Sequence, residues 1–383
     1  MRRRGSQRRA ARANLRPVIA IRALLLASAA LPAAALAASA AEKSVGIGGY
    51  FHGFLAAGAH DDGPGEPNAN TRNHWIAREA EIHFRADVKL DSGLAVGVFV
   101  ELESETCADQ IDETFISFEG GFGRVLLGST NGAPYKMAVL PRSALPGHGF
   151  SDPRMFHGQS GTNSVGRLGP LLQPIASSDS EKATYFTPRF AGLQLGASYA
   201  PDRCEENGCG GSYGGAETDN DLNQQSETVE IGLNYARKIG EVDFALSGGW
   251  ARGNNENPSA GNGDQEEWSA GASLSWNGFI LTGAWHADDR GRTVRGDRDD
   301  WGGSLFYVTG PWSFSLGGVR TTVEEAVGGE DTQTLVEGAA SYALGPGVIG
   351  SVGVQNYVFT DDRDAPGAEN HATYLIAGLT LVF

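Results

Sequence analysis

Apolar and polar side chains alternate along most of this chain with a period of two. In "PWSFSLGG", Trp312, Phe314 and Leu316 fall on one face, and Ser313, Ser315 and Gly317 on the other. "SAGASLSW" repeats the pattern, with Ala270, Ala272, Leu274 and Trp276 against Ser269, Gly271, Ser273 and Ser275. Successive side chains of a strand point to opposite faces, so this alternation predicts β-strands with one oily face and one small or polar face. Sixteen such segments fall near residues 45–59, 74–90, 94–105, 110–119, 123–129, 181–188, 191–200, 226–238, 240–252, 266–276, 278–288, 299–309, 311–322, 332–343, 347–359 and 371–383. No segment in this region carries a convincing helical period.

The connections alternate in length. Short Gly- and Pro-based turns such as "LDSG" (90–93), "WNGF" (276–279) and "LGPG" (344–347) are separated by longer polar links near 60–73, 130–180, 201–225, 253–265, 289–298, 323–331 and 360–370; the link at 106–109 alone is short on that side. An antiparallel meander with turns at one end and loops at the other satisfies this order. A sheet of sixteen strands closes rather than expose two long edges. With its apolar residues outside, the medium around it is lipid, so the expected fold is all-β, a transmembrane antiparallel β-barrel of about 16 strands. The seven tryptophans, each within about three residues of an expected strand end, fit the two interfacial belts of such a barrel.

The first forty residues break the pattern. Eight arginines and no acid in residues 1–22 run into the apolar stretch Ala23 to Ala37, then small residues, which reads as a cleaved secretory signal peptide over 1–40. Cleavage after Ala37 or Ala40 fits, and Ala40 is favoured; a twin-arginine signal lacks the residues that should follow the pair. Removing those arginines takes the formal charge from -16 to about -24, which makes a nucleic-acid partner improbable. The remainder, 41–383, is expected to be one barrel domain.

Export brings oxidising conditions. Cys204 and Cys209 in "CEENGC" could close a small loop as a disulfide, leaving Cys107 unpaired; a zinc site is the weaker alternative because no histidine lies near them in sequence.

"ETFISFEGGFGRVLLGS" (113–129), "ATYFTPRFAGLQLGASYA" (183–200) and the terminal "YLIAGLTLVF" resemble the general-diffusion porins of Gram-negative outer membranes. That resemblance implies a barrel, usually a homotrimer, whose long third loop folds inward to narrow a water-filled channel. It also implies that the terminal aromatic, Phe383, is read by the outer-membrane insertion machinery. The expected surroundings are outer-membrane lipid and lipopolysaccharide, with small hydrophilic solutes and ions as the cargo and no cofactor. The 51-residue link 130–180 is placed as the constriction loop, carrying Lys136, Arg142, Arg154 and Arg167 against Asp152 and Asp179. Familiar porins carry an acidic loop there, so the facing charges differ.

Alternation also assigns the wall. Ile82, Phe84, Ala86 and Val88 facing lipid send Glu79, Glu81, His83, Arg85 and Asp87 into the lumen; by the same rule Glu101, Glu103 and Glu113 point inward. Such charges either solvate a wide wall or set a transverse field that orients and screens solutes. The 201–225 loop holds six acids against Arg203, and 323–331 and 360–371 are also acidic, so the mouth attracts cations or, equally, serves as a solvated or lipopolysaccharide-bridging surface. Passive diffusion of small hydrophilic solutes and ions with a weak cation preference is the expected function. The alternative is a substrate-specific porin using the basic loop residues to bind phosphate or organic anions. An enzyme is disfavoured, since the eight histidines are scattered and Ser160 in "GQSGT" has no recognisable partner. A soluble β-sandwich or propeller is the remaining rival.

Overall fold

The computed structural model describes residues 42–61, 72–104, 111–150, 171–204, 219–325, 328–362 and 369–383. The expected signal peptide lies outside them. Sixteen strands run in order: β1 (Glu42–His60), β2 (His74–Lys89), β3 (Ala95–Glu103), β4 (Ile111–Gly120), β5 (Gly123–Ser129), β6 (Glu181–Phe186), β7 (Leu193–Ala200) and β8 (Gln225–Ile239). They continue with β9 (Val242–Asn255), β10 (Gln265–Trp276), β11 (Phe279–Asp288), β12 (Arg298–Thr309), β13 (Trp312–Glu324), β14 (Glu330–Gly345), β15 (Val348–Thr360) and β16 (Glu369–Val382). A five-residue helix, α1 (Ala133–Met137), follows β5. Every strand lies within three residues of the segment read from alternation.

Each strand pairs antiparallel with its sequence neighbours, and β16 returns to β1, from Tyr50 opposite Val382 to His60 opposite Ala372. Closure leaves no sheet edge, so backbone N–H and C=O groups at membrane depth find partners within the wall. The turn chemistry is local. Asn277 (φ 46°) and Gly278 (φ 83°) both take positive φ between β10 and β11, the mirror-image two-residue turn whose twist matches paired strands.

Leu281, Leu305, Leu316, Leu375 and Leu379 stand exposed on the outer face, as lipid-facing residues of a barrel must. Two aromatic belts bound them. At the loop end Trp250 packs on Trp268 (6.2 Å between ring centres) and Trp285 on Trp301 (5.9 Å); at the turn end Phe279 stacks on Tyr307 (4.3 Å) and Trp312 meets Tyr342 (4.7 Å). Along β10, Trp268 and Trp276 are about 26 Å apart at the usual rise per residue. Trp75 departs from the belt: it points into the barrel against Tyr374 (5.2 Å).

The wall is uneven in height. β5, β6 and β7 have 7, 6 and 8 residues, whereas β8, β14 and β16 have 15, 16 and 14. The buried apolar core lies inside the barrel, where Phe54, Leu335, Tyr357, Tyr374 and Ile376 pack against Leu145, Phe150 and Leu172 of the link between β5 and β6. Ile376, an apolar residue at an inward position, interrupts a polar lumen face for that reason.

Candidate constriction and lumen

The described parts of the link between β5 and β6, residues 130–150 and 171–180, lie inside the barrel and are fastened to its wall. The outgoing limb donates backbone N–H groups to wall serines in succession: Ala133 to Ser198 on β7 (2.8 Å), Val139 to Ser247 on β9 (2.8 Å), Arg142 to Ser304 on β12 (2.9 Å) and Ala144 to Ser315 on β13 (2.9 Å). Ser143 hydrogen-bonds Glu337 on β14, and Gln355 on β15 donates to the His148 carbonyl (3.0 Å). Space for this backbone comes from glycines. A Cβ at Gly271 would overlap the Val139 carbonyl, one at Gly302 would press on Leu172, and one at Gly317 on Phe150. The small residues that alternate with the lipid-facing ones on these strands are therefore the seat of the loop.

Its returning limb is held by charge. Leu171 N–H donates to Asp300 (3.2 Å) and Ile175 N–H to Glu267 (2.8 Å). Between these carboxylates sits His286, with Nε2 3.2 Å from Glu267 and Nδ1 3.5 Å from Asp300, while Arg298 pairs with Asp300 through Nε at 2.6 Å. All four side chains are fully buried. Lys182 on β6 completes the return by donating to the Ser178 (2.6 Å) and Thr130 carbonyls. Removing one partner from such a group leaves an uncompensated buried charge.

Between the loop and the wall lies an open cavity of about 760 Å³. Glu79, Glu81, Glu101, Glu103, Asp112 and Glu113 of the wall and Asp179 of the returning limb line it, and the base among its described lining is Lys136. Lys136 projects from α1 and bridges both Glu113 oxygens (2.9 and 3.1 Å) over the Phe115 ring. Tyr50 donates to Glu79 (3.2 Å) and to Glu81; His83 lies 2.9 Å from Glu81 and 3.4 Å from Glu101. Arg85 stands apart, paired with Asp87 on its own strand (2.7 Å).

Basic residues gather nearer the turn end. Arg142 and Lys238 line a cavity of about 490 Å³ with Asp243, which lies 3.6 Å from Lys238, while Arg237 borders it from an outward strand position opposite Phe244; Arg124, Lys136 and Arg189 line another of about 380 Å³ with Glu119. At the loop-end rim, burial and the neighbouring Glu324, Asp289 and Asp299 push the Asp297 carboxyl above its usual range. Five of the acids read from alternation thus share one cavity with Lys136, while Arg142 and Arg85 sit elsewhere. Asp152, Arg154 and Arg167 lie outside the described residues. Cys204 is disulfide-bonded; Cys209 and Cys107 also lie outside the described residues.

The buried set Lys182, Glu267, His286, Arg298, Asp300 and Glu337, together with Tyr50 in the cavity, was not singled out by sequence reasoning. The available signal was register: His286 and Asp300 are direct cross-strand partners on inward positions. Alternation identifies an inward charge but says nothing of what backbone will cover it.

A closed barrel, oily outside, with a long loop fastened inside a charged lumen, defines the class of pore-forming outer-membrane barrels. The family model described as Gram-negative porin matches residues 27–362, and the chain belongs to that family: an outer-membrane pore for diffusion. Proteins of this family and fold are typically channels without enzymatic activity. Among solved structures, the anion-selective porin from Comamonas acidovorans superposes with TM-score 0.61 at 16% identity, covering 89% of this chain and 100% of that one. In-vitro folded OmpT of Vibrio cholerae, in a trimer form, gives 0.59 at 11% identity (89% and 99% covered). A double mutant of Rh. blastica porin gives 0.51 at 14% identity (89% and 100% covered). No curated protein sequence matches the chain.

Proposed function

We propose that the chain forms a water-filled pore for small hydrophilic solutes and ions with a weak preference for cations. The observation that carries this is the cavity beside the seated loop, where seven carboxylates accompany one lysine that is itself paired with Glu113. An excess of lumen acids over bases raises the local cation concentration and lowers that of anions over a Debye length of about 8 Å at physiological salt. The test is the zero-current potential of single channels in a planar bilayer under a potassium chloride gradient. A potential of cation-selective sign is expected; the anion-selective sign would overturn the preference, and absence of conductance would overturn the pore.

A second reading has its own support. The turn-end cavity lined by Arg142 and Lys238, with Asp243 beside the lysine, offers cationic groups to anions, and one similar solved structure is an anion-selective porin. Block of conductance by micromolar phosphate would favour it; a linear rise of conductance with salt and no block would count against it.

We further propose a homotrimer, with the low wall at the subunit contact. A transmembrane strand needs about 9–11 residues, and β5, β6 and β7 fall short of that, so a protein neighbour suits this side better than lipid. Electrophoresis of unheated and heated samples reads it: a slow, heat-sensitive band supports the assembly. Export through a signal peptide over 1–40, a Cys204–Cys209 disulfide, and contacts with lipopolysaccharide and the insertion machinery complete this reading.

A further inference from the structure

We infer that Glu81, His83 and Glu101 form a binding site for a divalent transition-metal ion, of the zinc or copper class, in the wall of the lumen. Three donors from two adjacent strands converge there. Glu81 and His83 are two residues apart on β2 and so share its inward face, and Glu101 on β3 is the direct cross-strand partner of His83. The His83 Nε2 atom lies 2.9 Å from a Glu81 oxygen and 3.4 Å from a Glu101 oxygen, and one ligand atom from each of the three falls within 4.8 Å of the others. Metal bonds near 2.0–2.2 Å in a tetrahedral set place ligand atoms roughly 3.4 Å apart, so small side-chain rotations close the site around an ion.

Three features favour a metal over a plain histidine–carboxylate contact. A mixed imidazole and carboxylate set suits borderline ions, whereas calcium and magnesium prefer oxygen alone. The donors are already oriented: Tyr50 donates to the far oxygen of Glu81, and the His83 ring is held between Phe99 (5.4 Å) and Tyr50 (6.2 Å). Charge favours an ion as well, because Glu79 and Glu103 adjoin the same cavity and its lysine is engaged by Glu113. The three donor side chains are partly exposed to the lumen, which leaves an entry path and an open coordination position for water.

The site depends only on the wall geometry, while its effect on current rests on the proposed pore. The direct test is calorimetric titration of zinc chloride into the full chain, folded in detergent and stripped with chelator, at pH 7.5. One ion per chain is expected, with affinity weakened at least about tenfold in His83→Ala and in Glu101→Gln, and by a smaller factor in Tyr50→Phe. His371→Ala, at the exposed rim, should bind as the parent does. Retained heat-modifiable migration confirms that each variant is folded. No saturable binding, or binding that survives both His83→Ala and Glu101→Gln, would overturn the inference. In bilayers, micromolar zinc should reduce the parent's conductance and spare His83→Ala. Stoichiometric binding by a chain that conducts nothing would uphold the site and overturn the pore reading instead.

Discussion

Gly271 shows how a residue without a side chain can set the bore of the channel. Its inward position on β10 brings the Val139 carbonyl against the wall, and Val139 is held there through Ser247 on the neighbouring strand. Gly271→Ala forces a rigid backbone segment to move; overpacking of this kind costs about 1–3 kcal/mol. The loop, rather than the barrel, is expected to yield, giving altered single-channel conductance with unchanged heat-modifiable migration. Gly338→Ala, where an added Cβ meets nothing within 4 Å, is the matched control and should conduct as the parent does. Inward parity was legible in the sequence for Gly271, as it was for Glu79, Glu81, Glu101 and Glu113. What pressed against the glycine was not, because alternation reports the direction of a side chain and carries no information about a segment more than a hundred residues away.

At the scale of the element, the loop between β5 and β6 behaves as a part inserted into a finished wall. Its outgoing limb hangs on neutral hydrogen bonds to serines together with the Ser143–Glu337 and Lys136–Glu113 contacts, and its returning limb on the buried Glu267–His286–Asp300–Arg298 group. Each neutral bond contributes about 1 kcal/mol net, so removing Ser247, Ser304 and Ser315 hydroxyls together loosens the outgoing limb by roughly 3 kcal/mol. The triple alanine variant should close at lower voltage and show noisier open levels in bilayer recordings, with no loss of assembled protein. Unchanged noise would mean that the remaining charged attachments and the apolar contacts of Leu145, Phe150 and Leu172 hold the loop without these three serines. Length and position made this loop recognisable in the sequence. Its route was not recognisable, since serines and glycines at inward positions read equally well as a plain water-facing surface.

For the whole molecule, the strand count and alternating link lengths were enough to read a closed barrel, because register and closure follow from period-two patterning and from the cost of an exposed edge. The end of the chain is part of that closure: Phe383 exchanges backbone hydrogen bonds with Gly49 (3.0 and 3.1 Å) while its ring is exposed. Deleting Phe383 is expected to leave unassembled protein in the periplasm, and normal surface assembly of the deletion would refute the proposed role as an insertion signal. The axial arrangement of charge was harder to read, because it depends on which acids and bases fall at the same height around the wall. Glu79, Glu81, Glu101 and Glu103 lie toward the loop end, and Arg142 and Lys238 toward the turn end, so on the proposed pore reading cations are expected to dominate one section and anions the next. With the loop side positive, cations cross the acidic section and anions cross the basic section toward the same junction, and carriers accumulate there. With the loop side negative both are drawn away, and the junction is depleted. Current in symmetric 0.1 M salt should therefore be larger when the loop side is positive. The asymmetry should fade at 1 M, where the Debye length falls from about 10 Å to about 3 Å and fixed charges are screened. Replacing Arg142 and Lys238 with glutamine should flatten it at low salt while leaving the barrel folded; a symmetric current–voltage curve for the parent at 0.1 M would show that the two sections do not act in series.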